Sequence, residues 1–400
     1  MSKKTVLIIS IILFSASLFS GCWDKVEIDQ RAFVGVIMVD MAPPGYEEKI
    51  EESVKNIPGI EKQTGKMIKV TYEFPNASEI AGNDTGSGGG GGGEEEKGGI
   101  SSVAVTIDET NRYIDSRLSR RLFFGFTQTI IFGEELLKNP DKFEEVLDYF
   151  RRAPEFGRSM RVLAAEGEAC KVAEIKPKNE KLLFRYIRGI LENESSNGRI
   201  SDITFNEFIT MLSANGDSVM PKVTVKGDEL KIAGDAIIKD YKLQGFLPEY
   251  DSFYFNALSG KRKAGSESIN TNGLTVNYLI RNTGRSIKLI NDDPENIEVG
   301  INIETEGVIS SASAGMEIYD DNFIKKVERD LNDVDEESCS FVIKKLQKDY
   351  KNDTLLIGEY LRKHNPSLWN KVKDKWNEVY PTIKIIPTVD NKIRRIGTVK

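Results

Sequence analysis

The chain has 400 residues, 39% of them apolar and 29% charged; it is long enough for about two to four domains with real cores, and too polar for a multi-span membrane protein or a collagen-like rod. Lys and Arg number 55 against 62 Asp and Glu, a net charge of −7, so there is no global cationic field for nucleic acid or an anionic membrane, and either would need a local patch. Three cysteines and one histidine exclude zinc fingers, His-rich metal sites, a dense disulfide framework and any mechanism needing two histidines.

Lys3 and Lys4 precede an apolar stretch over residues 6–19 that ends in Ser20-Gly21-Cys22, the layout of an export signal with small residues at the cut. A span needs about 20 apolar residues, and this run is shorter. Residues 1–21 are therefore predicted to be a signal peptide cut between Gly21 and Cys22; the competing reading is an ordinary cysteine closing an uncleaved anchor helix. Leu18-Phe19-Ser20-Gly21-Cys22 resembles a bacterial lipobox. That resemblance implies a diacylglycerol on the Cys22 thiol, and at about 0.8 kcal/mol per buried CH₂ two acyl chains tether a mature chain firmly without inserting it. Cleavage removes Lys3 and Lys4 and leaves a net charge of −9, so lipid rather than overall charge would be the anchor. Later apolar runs, at 32–38 and 122–132, are too short for a second membrane segment.

Residues 22–214 read as an N-terminal α/β domain. A β-branched run over 32–39, ending before Pro43-Pro44, predicts a buried strand, and 67–74 alternates as a half-buried one. Val103, Val105 and Ile107 alternate in a third strand; Ile114, Leu118 and Leu122 recur as a helix stripe, and 123–132 returns as a strand. Residues 82–99, which hold a glycine tract and a Glu run, predict a disordered surface loop. Gly86, Gly88 and Gly91 spell the dinucleotide pattern, but polar Asn83-Asp84-Thr85 stands where a buried strand is needed and Glu94-Glu95-Glu96 where a helix should open. Phe143, Val146, Leu147 and Phe150 predict a helix after Pro140; 160–165 predicts a strand and 182–191 a helix. Thr204-Phe205-Asn206-Glu207 has capping-box spacing for a helix that buries Phe205, Phe208 and Leu212 and stops at Asn215-Gly216-Asp217-Ser218.

Residues 219–294 predict a β-rich middle domain with strands near 221–225, 232–238 and 274–280 and a helix at 250–258. Residues 295–400 predict a helix-rich α/β domain behind a soft boundary, with a strand at 297–303 that fits either side of it and a closing strand carrying Ile383, Ile385, Val389, Ile393 and Ile396. In its penultimate helix Trp369, Val372, Trp376 and Val379 fall within an arc of roughly 80°. Two readings stand for Trp369 and Trp376, core anchors or a partner-binding face.

His364 follows Arg362 and Lys363 at a helix end, where a cation complements the helix dipole. No G-x-S-x-G or G-x-x-x-x-G-K-[ST] occurs, and Asp292-Asp293 and Asp320-Asp321 sit in polar, turn-like surroundings. Basic clusters at Arg117, Arg120 and Arg121 and at Lys392, Arg394 and Arg395 lack interleaved aromatics and read as solvated faces and charged edge strands rather than phosphate sites. Cys170 and Cys339 either pair or stay as two separate thiols. The sequence therefore offers no catalytic, cofactor-binding or metal-ligating set, and it predicts a protein that is not an enzyme and binds no nucleic acid.

Gly21-Cys22-Trp23-Asp24-Lys25-Val26-Glu27-Ile28, Phe132-Gly133-Glu134-Glu135-Leu136 and Gly358-Glu359-Tyr360-Leu361-Arg362-Lys363-His364-Asn365-Pro366, running on through Trp369 and Trp376 to Lys392-Ile393-Arg394-Arg395-Ile396-Gly397, resemble the Ger(x)C family of spore germination lipoproteins. The resemblance covers essentially the whole mature chain. It implies a mixed α/β (α+β) protein of three domains, each with a mixed sheet packed by helices, and no catalytic residues. It also implies a lipid-anchored C subunit of a nutrient germinant receptor on the outer face of the spore inner membrane of an endospore-forming bacterium, beside membrane-spanning A-type and B-type subunits. The alternative is a solute-binding lipoprotein of a transporter, which calls for two matching lobes that this sequence does not show. A wall-active hydrolase would need a poised acid or nucleophile.

Overall fold

The computed structural model describes residues 30–46, 65–75, 99–177, 180–312 and 321–396. The signal peptide, Gly21, Cys22 and the loop at 82–98 lie outside these residues.

Short strand β1 (Arg31–Phe33) gives way at Val34-Gly35 to β2 (Val36–Met41), so the expected single strand is two. Val34 N donates to Phe123 O and Gly35 N to Glu73 O, which turns the chain from one sheet into another. β3 (Ile68–Glu73) follows, more buried than simple alternation predicts. β4 (Ile100–Ala104) is next, and Thr106 caps α1 (Ile107–Asp115). The expected strand through Ile107 therefore ends early, because the Thr106 hydroxyl satisfies the Glu109 N–H and starts the helix there. Leu118 and Leu122 lie beyond α1. The run 123–132 is likewise divided, into β5 (Arg121–Phe123) and β6 (Thr129–Phe132).

A one-turn helix, α2 (Glu134–Leu137), precedes α3 (Pro140–Arg152), which buries Phe143, Val146, Leu147 and Phe150 as its periodicity predicts. β7 (Arg161–Ala165), α4 (Leu183–Asn197) and α5 (Phe205–Asn215) complete this part. The Thr204–Glu207 capping box at α5 is present in both directions.

β8 (Asp217–Lys226), β9 (Glu229–Lys239) and β10 (Lys242–Leu247) then extend the same sheet, whose order is β10-β9-β8-β7-β6-β2-β3-β4. After α6 (Glu249–Ser259), strands β11 (Gly265–Thr271), β12 (Leu274–Asn291), β13 (Glu298–Ala312) and β14 (Lys384–Ile396) form a four-stranded sheet in sequence order. Long α7 (Asp321–Lys344) lies against it. Between α7 and β14 run α8 (Ile357–His364), α9 (Pro366–Val372) and α10 (Trp376–Val379). The expected tryptophan-bearing helix is thus broken, with a 3₁₀ turn at Lys373–Lys375 in its middle. β1 and β5 make a separate parallel pair.

Among the described residues the fold is mixed α/β with two-, eight- and four-stranded sheets, and the ladders run across both expected boundaries. At 214–219, Ala164 and Ala165 of β7 pair with Lys222 and Val223 of β8, which gives β7 a partner it would otherwise lack on that side. The 294–295 boundary falls in the turn of the β12–β13 hairpin. One apolar cluster is continuous from Ile37 and Phe132 in the large sheet to Val299, Ile301 and Trp376 beside the small one.

Candidate functional site

The segments that carried the resemblance meet other parts of the chain at specific contacts. One such junction surrounds Asp353, which is 1% exposed. Its Oδ1 accepts the Ile357 N–H at 2.9 Å and its Oδ2 the Gly358 N–H at 2.8 Å, so the side chain satisfies two orphan donors of the first turn of α8. Oδ2 also accepts Trp376 Nε1–H at 3.1 Å, while the Asp353 N–H donates to Asp217 Oδ2 at 2.7 Å. Asp217, the first residue of β8, takes further donors from Asn352 Nδ2 at 3.1 Å and Lys239 Nζ at 3.3 Å.

Lys239 reaches on to Lys351 O and Asn377 Oδ1. From the other side, Arg285 of β12 donates to Leu355 O and Tyr360 OH accepts the Leu289 N–H. The segment around 351–360 therefore bonds to the eight-stranded sheet through β8 and β9 and to the four-stranded sheet through β12.

The two tryptophans close this junction. Their ring centroids are 5.1 Å apart, edge to face, with Trp376 buried and Trp369 half-buried. A Cβ at Gly358 would lie 2.9 Å from Trp376 Cε2 and 3.1 Å from Trp369 Cζ3, so glycine is what allows α8 to approach both rings. His364, exposed at the end of α8, stacks against Tyr360 at 4.8 Å between centroids.

Burial dominates the electrostatics here. It raises the Asp353 carboxyl to about 7 and the Asp217 carboxyl to about 6, against the backbone N–H groups that lower both and the Lys239 ammonium that lowers Asp217. Asp235, in β9, is pushed up to about 6 by burial and is held by Ser201 through its N–H at 2.8 Å and its hydroxyl at 3.2 Å. Under the small sheet, burial and then the Asp335 charge raise Glu267, with Arg262, 2% exposed, packed over the Phe253 ring at 4.4 Å. These carboxyls were not singled out by the sequence, which reads Asp217 only as part of the helix stop at Asn215-Gly216-Asp217-Ser218. The usable signal was Asp353, four residues before the helix it caps.

The Phe132-Gly133-Glu134 segment has a comparable role. Asp40 Oδ1 and Oδ2 accept the Ala169 and Cys170 N–H groups at 2.6 and 2.9 Å, and a Cβ on Gly133 would sit 2.0 Å from Asp40 Oδ1. Glu134 Oε2 accepts the Gly167 N–H while the Glu134 N–H donates to Gly167 O. Cys170 and Cys339 are separate thiols; the Cys170 Sγ accepts from Lys69 Nζ at 3.4 Å, and burial raises both thiols. Of the terminal basic cluster, Arg394 pairs with Glu306 at 2.6 Å and Lys392 with Asp390 at 2.7 Å. Among the described residues no group of three His, Cys, Asp or Glu side chains is placed to hold a metal ion, and no helix is long and apolar enough to cross a membrane.

The arrangement holds helix ends and joins two sheets, and Asp353, Asp217, Asp235 and Asp40 each accept backbone N–H groups. The solved structure of the GerBC protein has the same fold: its TM-score is 0.58 over 82% of this chain and 94% of that one, at 20% identity. Residues 24–225 match the model of the spore germination protein N-terminal domain, and residues 233–397 match the spore germination B3/GerAC-like C-terminal model. The chain belongs to the GerAC/B3-like family of spore germination proteins. It is similar to spore germination protein YndF of Bacillus subtilis (strain 168), 28% identical over 95% of this chain and 94% of that one. Spore germination protein B3 of the same organism is 23% identical over 99% of each.

Proposed function

We propose that the chain is a lipid-tethered, non-enzymatic subunit of a spore nutrient germinant receptor, held on the outer face of the spore inner membrane beside A-type and B-type membrane-spanning subunits. The observation that carries this reading is a family match running from residue 24 to residue 397 directly behind the lipobox-like Leu18-Phe19-Ser20-Gly21-Cys22. Asp353, Asp217 and Asp235 support it in so far as they accept backbone N–H groups at a helix start and between chain segments, a structural use of buried acids. Tethering to one membrane face raises the effective concentration of partner encounters, so weak interfaces suffice. Spores lacking this chain, in a background without other nutrient receptors, are expected to stop responding to at least one nutrient. A normal response to every nutrient tested refutes the role.

A further inference from the structure

The tether limits which face of the molecule can lie on the bilayer. Seven residues, 23–29, separate Cys22 from Gln30, so Gln30 cannot stand more than about 29 Å from the lipidated cysteine even in a fully extended chain. Gln30 leads directly into β1, and Arg31 of β1 is in register with Arg121 of β5 in a parallel pair. Like charges side by side across a ladder are destabilising unless an anion lies between or above them.

Arg31 stacks its guanidinium 4.5 Å above the Phe123 ring, which holds it at this edge. Arg120 and Arg121 are exposed and have no ion-pair partner among the described residues, and Arg117 donates only to the Ser101 carbonyl. Beside them opens a cleft of about 820 Å³ lined by Gln30, Arg120, Arg121, Leu122 and Phe123, with Asp115 and Glu155 as its acidic members. The other basic cluster differs, because Lys392 and Arg394 are already neutralised by Asp390 and Glu306.

We infer that the β1–β5 edge, with Arg31, Arg117, Arg120 and Arg121, is the membrane-facing surface of this protein and binds the phosphates of anionic phospholipid headgroups. The inference rests on the lipid-tethered reading above and adds an orientation to it. A chain of net charge −9 is repelled by an anionic bilayer as a whole. Within the tether's reach this edge offers unpaired guanidinium groups, and each basic residue held at such a surface strengthens binding about fivefold.

The test uses the full mature chain, residues 22–400, with Cys22→Ser so that no acyl chain contributes. Its partition is measured onto vesicles of phosphatidylcholine with phosphatidylglycerol and onto phosphatidylcholine alone, at about 0.1 M salt. The expected result is binding to the phosphatidylglycerol vesicles only, about twentyfold weaker for Arg120→Gln/Arg121→Gln, retained by Arg120→Lys/Arg121→Lys and unchanged by Arg394→Gln. Circular dichroism and melting midpoints identify any variant that has lost its fold, and the Lys pair reports on charge independently of the Gln pair. Equal partition onto both vesicle types, an unchanged Gln pair, or displacement by millimolar inorganic phosphate, which marks a site for a soluble anion, overturns the inference. Mass spectrometry of the N-terminus from native membranes reads the anchor separately: a lipidated Cys22 with no vesicle selectivity sinks the orientation alone.

Discussion

Glu336 of α7 accepts the backbone N–H of Val389, in edge strand β14, at 2.9 Å. One turn away Asn332 Oδ1 accepts the Asn391 N–H at 2.8 Å, and Glu328 Oε1 accepts the Ile393 N–H at 2.9 Å. Four helical residues rise about 6 Å and two strand residues about 6.7 Å, so side chains spaced by four along a helix can follow alternate N–H groups of a strand. The helix caps an edge that would otherwise offer a row of free donors to another chain.

Removing this cap has a predicted cost. Glu336→Ala leaves the Val389 N–H without its charged acceptor and is expected to cost about 1–3 kcal/mol in denaturant unfolding, whereas Glu336→Gln, which keeps an acceptor, costs less than half as much. The triple variant Glu328→Ala/Asn332→Ala/Glu336→Ala should also self-associate in sedimentation at concentrations where the parent is monodisperse. Equal stability of the Ala and Gln variants contradicts the role given to Glu336.

Gly358→Ala sets two effects against each other. Helix propensity favours alanine by about 1 kcal/mol, but the new methyl would lie 2.9 Å from Trp376 and 3.1 Å from Trp369. Overpacking of a tight core costs about 1–3 kcal/mol, and both contacts are with rigid indole rings inside the junction, so the net effect is expected to be destabilising. Tryptophan emission should shift in the same variant. A stabilised protein with unchanged emission would show that α8 does not press on these rings.

The Asp353 and Asp217 carboxyls give the fold a pH dependence of definite sign. Folding raises them to about 7 and about 6, above their usual carboxylate range, so between about pH 4 and 7 the native state holds more protons than the unfolded chain. Their contribution to stability is therefore full below that window and is lost as pH rises through it. Asp353→Asn should remove up to about 1.4 kcal/mol per pH unit of that slope, read from unfolding free energies across the window. An unchanged slope contradicts a buried, proton-holding Asp353.

Much of the architecture was legible where one local rule decided the outcome. The α3 stripe of Phe143, Val146, Leu147 and Phe150 and the Thr204–Glu207 capping box read directly from spacing. Reading failed where a short-range cap or a distant partner overrode periodicity. Thr106 started α1 inside an apparent strand, and Val34-Gly35 split an apolar run because its N–H groups pair with Phe123 and Glu73. The ladder that runs across 214–219 was not legible either, because the pairing of β7 with β8 is one no local signal encodes. The Trp369 and Trp376 arc was visible in the sequence, but Asp353 was not, since its partners Asp217 and Trp376 lie 136 and 23 residues away.

The central claim is membership of a membrane receptor through a lipid tether, and affinity capture from spore membranes with this chain as bait tests it most directly. The account predicts recovery of A-type and B-type germinant receptor subunits with the wild-type chain, and their loss when Cys22→Ser removes the tether. Recovery of a transporter permease alone, or of no membrane protein from either bait, would contradict it.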